Sequence, residues 1–326
     1  MKQGRGTLIA VTAAIACLAV LPFVLKSGYH LRLVNLVGIN ILLVLGLNFI
    51  LGYAGLLSFA QVGFFLVGAY TGAILSVDYG LSFWLGLPLA ALAAGLFAWI
   101  IGIPTLRLRG HYFAFATFAF AEIVRLIALN WAELTHGATG VVGIAPPSIM
   151  RWQINSDASF YYFILLIVTF AAVVAWRIEK SSIGRALFAV REGELAAESM
   201  GIDTAKVKML AFILSAVYAG VAGALYGPLN SVISPDVFSF EVSVVILVSL
   251  LLGGTGSIVG AIVGTIMITL LPEWLRVLQD YYMVVYGAGI VLLMIFLPTG
   301  LLGAGRALLV HGRARFAGGQ SARALP

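Results

Sequence analysis

Residues 33–76 form a stretch of 44 residues that contains no Asp, Glu, Lys or Arg. A helix that crosses a bilayer needs about 20 consecutive apolar residues, so this stretch is long enough to cross twice. Its one interruption is the sequence Gly52-Tyr53-Ala54-Gly55. A lone soluble domain would have to hide the whole stretch from water, which strongly limits the folds open to this chain.

The rest of the chain has the same character. Apolar residue types make up 62% of the 326 residues and charged types 10%, whereas soluble domains are roughly half apolar and a quarter charged. This composition excludes a soluble protein, a disordered chain and a nucleic-acid-binding protein, although the net charge is +6. We therefore predict an all-α, polytopic transmembrane helical bundle. We expect it to be embedded in the lipid bilayer and to bind no nucleic acid.

Ten candidate spans follow one another, near residues 8–25, 33–51, 57–76, 83–103, 111–130, 160–176, 207–227, 240–252, 258–271 and 284–297. With the N-terminus in the cytoplasm, 14 of the 19 Lys and Arg residues lie on inside segments and four lie outside. Such a bias marks the cytoplasmic side. We predict about ten passes, including short or broken helices, with both termini cytoplasmic. One transmembrane domain would cover 1–302, and a flexible cytoplasmic tail would cover 303–326.

The few charged residues of the chain are concentrated in one predicted cytoplasmic loop, residues 177–206. Eleven of the 32 charged residues lie between Arg177 and Lys208. The residues 181–185 read as a turn-rich approach, and residues 191–201 read as one short amphipathic helix. In that helix Glu194 and Glu198 share a face, and Gly201 is placed to end it.

Two interpretations of this helix remain open, and its composition favours one of them. An apolar strip formed by Leu195, Ala196 and Met200 would lie beside the two glutamates. A helix that lies on the membrane surface is usually rich in Lys and Arg on its polar face, whereas this one is acidic. The pattern therefore favours a docking helix that binds in a groove of another protein.

Seven stretches between residues 33 and 302 follow the order of one known family. They are GLNFILGYAGLLSFAQVGFFLVGAYT (46–71), LRLRGHYFAFATFAFAEIVRL (106–126), SSIGRALFAVREGELAAESMGI (181–202), LAFILSAVYAGVAGALYG (210–227), ISPDVFSF (233–240), LLGGTGSIVGAIVGT (251–265) and LPTGL (297–301). Together they resemble the permease subunits of high-affinity branched-chain amino-acid ABC importers of the bacterial inner membrane. The resemblance implies a translocation subunit for hydrophobic amino acids. It also implies three kinds of partner: a second homologous permease subunit, two ATP-binding cassette ATPase subunits and an extracytoplasmic substrate-binding protein.

The resemblance further implies that the loop 177–206 couples the chain to the ATPase subunits. The coupling residues would be Arg185, Arg191, Glu192, Glu194, Glu198 and Gly201. The chain does not have the Gly-Lys pair of an ATP-binding P-loop, because no lysine follows a glycine. We therefore expect ATP hydrolysis on a separate subunit, no enzymatic activity and no cofactor in this chain.

Polar residues and glycines at membrane depth provide the remaining candidates. Glu122 and Arg125, at i and i+3, can form an intramembrane ion pair. Broken helices can offer backbone groups to a zwitterionic solute, which makes the two glycine-rich interruptions candidate pathway segments. Close packing and interhelical hydrogen bonds are the competing interpretation, and the spacing of Gly256, Gly260 and Gly264 favours packing. The candidate pathway residues are Asn48, Gly52, Gly55, Ser58, Gln61, Gly253, Gly254 and Gly256.

Two other transporter classes remain as alternatives. One is a related ABC permease for urea, amides or another small solute. The other is an ion-coupled secondary transporter, for which an unpaired intramembrane carboxylate would be expected; the spacing of Glu122 and Arg125 weighs against it. The sequence shows no catalytic set of residues, and its four histidines and single cysteine are too scattered for a metal site.

Overall fold

The computed structural model describes residues 28–149, 152–154 and 156–275, with the isolated residues 22, 287, 288 and 300. Within these residues, seven helices are long and apolar enough to cross a bilayer, and one shorter apolar helix lies among them. The prediction of a multi-pass helical bundle is thereby confirmed. Most of the first and last predicted spans, both termini and the tail 303–326 lie outside the described residues.

The described helices range from 4 to 27 residues in length. In chain order they are α1 (Gly28–Leu47), α2 (Gln61–Val77), α3 (Phe83–Thr105), α4 (His111–Asn130), α5 (Ala132–Thr135), α6 (Asp157–Lys180), α7 (Ser182–Glu192), α8 (Glu194–Ser199), α9 (Thr204–Asn230), α10 (Phe240–Gly253) and α11 (Ile258–Leu275). A π-helical segment, Asn48–Tyr53, continues α1.

The four short strands of the described residues lie at one end of the bundle. Strand β1 (Val141–Val142) pairs antiparallel with β4 (Val232–Ile233), and β2 (Ser148–Ile149) pairs antiparallel with β3 (Trp152–Gln153). Two 3₁₀ turns, Gly137–Thr139 and Pro235–Val237, flank these strands. The β1–β4 pair ties the connection after α4 to the connection after α9, so both connections lie at the same end of the bundle.

The centre of the bundle is a close contact between the backbones of α2 and α9. A Cβ atom added to Gly68 would lie 2.3 Å from the carbonyl oxygen of Gly220. A Cβ atom added to Gly223 would lie 2.3 Å from the carbonyl oxygen of Phe65. Small residues permit such an approach between membrane helices, where van der Waals packing is a main source of association.

Both glycine-rich interruptions break their helices, as predicted. The first break is longer than expected, because α2 begins at Gln61 and not near residue 57, which leaves 54–60 non-helical. The second break covers 254–257, between α10 and α11. Gly260 and Gly264 do lie on the packing face between these two helices, within contact of Gly253, but Gly256 does not, since it turns toward the first break.

The prediction for the charged loop was wrong in two respects. Residues 182–192 form the helix α7, with Ser181 as its N-cap accepting a hydrogen bond from the Gly184 amide at 3.4 Å. Serine and glycine favour helix caps as well as turns, which explains the error. The predicted single helix over 191–201 is interrupted at Gly193, where α7 ends and α8 begins.

The prediction for the end of this helix was correct. Gly201 has a φ of +83°, and its amide donates to the Glu198 carbonyl at 2.9 Å. The Ile202 amide donates to the Ala197 carbonyl at 3.1 Å. This pair of hydrogen bonds is the Schellman arrangement, in which the left-handed position favours glycine.

Candidate functional site

The two helix breaks, far apart in sequence, meet in space. The Asn48 side-chain oxygen accepts a hydrogen bond from the Gly256 amide at 2.9 Å. A Cβ atom at Gly52 would lie 1.9 Å from that same oxygen and 2.7 Å from the Gly256 nitrogen. Glycine at position 52 is therefore what allows the π-helical segment to approach the second break.

Arg191, near the end of α7, contacts both breaks. Its Nη1 donates a hydrogen bond of 2.5 Å to the carbonyl oxygen of Gly52, which is buried. The same nitrogen lies 3.1 Å from the Cβ position of Gly256. A Cβ atom at Gly55, where φ is +72°, would lie 3.0 Å from Cγ of Arg191. One side chain of the charged loop therefore connects the loop to residues that the sequence placed in two separate pathway segments.

Phe188 strengthens this contact from the same helix. It lies one turn before Arg191, and its ring centroid is 5.1 Å from that of Tyr53. Tyr53 is almost fully buried and is the last residue of the π-helical segment. Sequence reasoning missed Phe188; its i, i+3 spacing from Arg191 was the available signal.

The two predicted glutamates do share a helix face, but that face is turned toward the start of α9. Glu198 accepts a hydrogen bond from the Thr204 hydroxyl at 2.7 Å. Glu194 accepts one from the same hydroxyl at 3.3 Å and forms an ion pair with Lys208. These two carboxylates hold α8 against the start of α9. Thr204 and Lys208 were missed, because they lie beyond the predicted helix.

The ion pair with Lys208 also sets the protonation of Glu194. The hydrogen bond from the Lys208 ammonium lowers the pKa of Glu194, and the Thr204 hydroxyl adds to this effect. A carboxylate with a lowered pKa stabilises the fold at neutral pH, and this contribution is lost only when the pH falls through the lowered pKa. The pair therefore holds α8 in place throughout the neutral range.

Helix α8 and the residue that follows it carry exposed apolar side chains. Leu195 is 79% exposed and Met200 is 82% exposed, and Ala196 between them is exposed as well. We call these three residues the α8 strip. The remaining predicted loop residues, Arg185 and Glu192, are exposed. The Arg185 side chain donates to the Lys180 carbonyl of its own segment, at 3.3 Å.

The non-helical segment 54–60 is held in the middle of the bundle by polar contacts. The Phe59 amide donates to the Thr117 hydroxyl at 3.1 Å, and the Ser243 hydroxyl donates to the Phe59 carbonyl at 3.3 Å. The Ser58 hydroxyl, which is buried, accepts from the Ala60 amide at 3.2 Å. These side chains replace part of the hydrogen bonding that a helix would supply, as buried backbone requires.

Gln61 joins three helices where α2 begins. Its side-chain nitrogen donates to the carbonyls of Leu43, at 2.8 Å, and Ser215, at 3.4 Å. Its side-chain oxygen accepts from the Ser215 hydroxyl at 2.6 Å. Interhelical hydrogen bonding is therefore the observed role of Gln61. Gly253, the last residue of α10, and Gly254 of the second break pack against Gly260.

The predicted pair in α4 forms. Nε of Arg125 donates to both carboxylate oxygens of Glu122 at 3.1 Å, and Nη2 donates to one of them at 2.5 Å. Nη1 of Arg125 points toward Asp236 at 3.9 Å. The structure thus adds a third charged group that the sequence could not place. The described residues contain no group of three His, Cys, Asp or Glu side chains able to hold a metal ion.

Comparison with known proteins matches this sequence to one family. The family model described as branched-chain amino acid transport system / permease component matches residues 29–295. The permease protein LivM of the high-affinity branched-chain amino acid transport system of Escherichia coli K12 is 36% identical, over 86% of this chain and 71% of that protein. The permease protein LivH of the same strain is 28% identical, over 80% of this chain and 90% of that protein.

A more distant relative is the ribose import permease protein RbsC of Haemophilus influenzae, 26% identical over 90% of this chain and 92% of that protein. No solved structure matches the chain. The family model covers most of the chain, and the resemblance seen in the sequence is confirmed. The chain belongs to the family of branched-chain amino acid transport system permease components.

Proposed function

We propose that this chain is a translocation subunit of an ATP-driven importer for branched-chain and other hydrophobic amino acids in the bacterial inner membrane. The cargo follows from the relative that is 36% identical, which is a permease protein of a high-affinity branched-chain amino acid transport system. ATP would be hydrolysed on two separate ATPase subunits. A second, similar permease and an extracytoplasmic binding protein would complete the importer. In this chain, residues 1–302 would form the permease domain, 177–206 its coupling loop, and 303–326 a cytoplasmic tail.

The observation that carries this proposal is the hydrogen bond from Arg191 to the Gly52 carbonyl. An importer driven by separate ATPase subunits needs a physical link from the docking loop to the membrane segments that move. Arg191 provides this link directly, because it belongs to the charged loop and touches both helix breaks. The breaks have fewer helical hydrogen bonds than their surroundings and are therefore the segments most easily displaced.

The α8 strip is suited to contact the ATPase subunit. Its leucine and methionine are exposed, whereas Glu194 and Glu198 beside them are engaged with Thr204 and Lys208, so we assign the apolar side chains to the contact with a partner. A helix that places its apolar residues in a groove is a common mode of protein recognition. The exposed loop charges Arg185 and Glu192 would lie at the rim of this contact and act on association rate more than on affinity.

Leu195→Asp tests this docking role. We expect the variant subunit to insert normally and to lose ATPase subunits on co-purification, since a central interface residue contributes about 2 kcal/mol, or roughly 30-fold in affinity. Val142→Asp is the matched control, because Val142 is also an exposed apolar residue at the opposite end of the bundle. Normal ATPase recovery and normal ATP-driven leucine uptake with Leu195→Asp would exclude the docking role.

The arrangement of helix ends supports alternating passes of the described helices, and for the whole chain we propose ten passes with cytoplasmic termini. Arg32, near the start of α1, donates to the Leu229 carbonyl near the end of α9 at 3.3 Å. Asp78, after α2, lies 3.3 Å from His136, after α4. These helix ends therefore lie on one side of the bundle. Arg191 contacts the opposite end of α1 and the break that follows α10, as alternating passes require.

Thiol labelling tests the orientation. In a chain carrying Cys17→Ser, a cysteine introduced by Ser181→Cys should react with a membrane-impermeant maleimide in inside-out vesicles only. Reaction in right-side-out vesicles would reverse the proposed topology. The cargo is tested separately, by uptake of radiolabelled leucine, urea and ribose into proteoliposomes that hold the complete importer; ribose is included because one relative is a ribose permease.

A further inference from the structure

One face of α4 carries charge and aromatic rings together. Phe115, Phe118, Glu122 and Arg125 follow at intervals of three and four residues, so they lie on one side of the helix. This face is open in the described chain: Phe115 is 69% exposed, and the side chains of Glu122 and Arg125 are 35% and 22% exposed. We call this face the α4 stripe.

A second wall faces the α4 stripe. Asp236, in the 3₁₀ turn before α10, lies 3.9 Å from Arg125. Phe240, the first residue of α10, packs on Phe118 with ring centroids 4.8 Å apart and on Phe59 at 5.5 Å. Three charged groups thus lie toward one end of the stripe, and a cluster of three rings lies about two helical turns along it toward the other.

Membrane lipid is an unfavourable neighbour for this stripe. The helix α4 has 20 residues, or about 30 Å, and Arg125 is about 8 Å from its end at the rise of 1.5 Å per residue. Charged side chains at such depth almost always face a bundle interior or a water-filled cavity. A face turned toward the aqueous pathway would account for the partial exposure of the Glu122–Arg125 pair.

The charges suit a ligand that bears both signs. Arg125 binds Glu122 through Nε and Nη2, while Nη1 lies beyond hydrogen-bond distance of Asp236. That nitrogen can donate to a carboxylate, as arginine does with high preference. Asp236, whose side chain is 78% exposed, can accept a hydrogen bond from an ammonium group beside it. One cation between two carboxylates suits a zwitterion better than a simple anion.

The rings set the preference for the rest of the ligand. Phe59, Phe118 and Phe240 present an apolar surface about one to two helical turns from the charged groups of α4, and binding sites commonly pair such a surface with a few polar groups that fix orientation. We propose that the α4 stripe, with Asp236 and Phe240, is a transient binding site for amino-acid zwitterions with apolar side chains on their way through the permease. This inference rests on the proposed function.

The test uses the complete importer in proteoliposomes, with the binding protein saturated by leucine or by alanine. Asp236→Asn removes the ammonium acceptor from an exposed position, and we expect leucine uptake to fall about tenfold. Asp236→Glu should restore it. Phe240→Ala should lower the ratio of leucine uptake to alanine uptake about tenfold, since discrimination by apolar contacts is of this order. Ile123→Ala, an exposed position on α4 outside the stripe, should match the wild type.

The outcomes separate this inference from the proposed function. If the wild-type importer takes up no hydrophobic amino acid, the proposed function fails. If it takes up leucine and both Asp236→Asn and Phe240→Ala leave rate and ratio unchanged, the site is refuted and the proposed function stands. Should Phe240→Ala lower uptake of both amino acids and ATPase activity equally, its effect is structural. Asp236→Asn then decides, and normal uptake by that variant refutes the site.

Discussion

Replacing Arg191 by methionine removes the link between the charged loop and the helix breaks. The Arg191 guanidinium donates to the Gly52 carbonyl at 2.5 Å, and a hydrogen bond with one charged partner contributes about 1.5–3 kcal/mol. Gly52 is buried, so its carbonyl would lose a partner that water replaces poorly. Methionine keeps most of the length and apolar stem of the side chain, which isolates the loss of the hydrogen bond.

The expected effect is on coupling. If the link forms in one of the two states of the transport cycle, its loss shifts the equilibrium between them by about 10- to 150-fold. We therefore expect a loss of at least about tenfold in the stimulation of ATPase activity by the substrate-loaded binding protein. The assay compares ATPase rates of the complete importer in nanodiscs with and without the loaded binding protein, and measures leucine uptake in parallel.

Arg185→Met is the matched control, because Arg185 lies on the same helix and its side chain donates to the carbonyl of Lys180 in its own segment. It should retain nearly normal stimulation. The reasoning would be refuted if Arg191→Met kept both normal stimulation and normal uptake, or if Arg185→Met lost as much as Arg191→Met. The second result would indicate a general effect of positive charge in the loop.

Two further changes test the packing around the breaks. Gly253→Ala places a Cβ atom 1.9 Å from the carbonyl oxygen of Gly260, whereas an ordinary contact begins at 3.4 Å. Because α10 and α11 must then separate by about 1.5 Å, we expect the free energy of unfolding to fall by roughly 1–3 kcal/mol. Thermal unfolding in detergent measures this loss. Gly72→Ala, which meets nothing closer than 3.4 Å, should be nearly neutral, and equal losses would contradict the packing argument. Gln61→Leu removes three hydrogen bonds, two of them to Ser215, at about 0.6 kcal/mol each in a membrane protein; an unfolding midpoint equal to the wild type would show that they contribute nothing.

Local features of the fold were predictable from the sequence, because they depend on residues close in the chain. The uncharged stretch 33–76 indicated membrane helices, and the glycine-rich interruptions indicated where they break. The spacing of Glu122 and Arg125 indicated their ion pair, and Gly201 indicated the end of α8. Each of these depends on periodicity, backbone freedom or local charge, which neighbouring residues determine.

The arrangement of the site was not predictable in the same way. Arg191 lies 139 residues from Gly52, and Asn48 lies 208 residues from Gly256. Spacing along one helix shows which residues share a face, but it does not show which other helix that face meets. The engaged glutamates show the same limit, because Glu194 looked available to a partner until Lys208, 14 residues later, was placed beside it.

The positions of the glycines suggest how motion in the loop would reach the membrane. Between α2 and α9, glycine brings two complete helices into backbone contact, and close packing of this kind resists deformation. At 54–60 and 254–257, glycine instead accompanies backbone that has left the helical hydrogen-bond pattern. Arg191 contacts the breaks and not the α2–α9 contact. A displacement of α7 would therefore act on the segments that yield most easily, while the glycine-packed centre keeps the bundle in register.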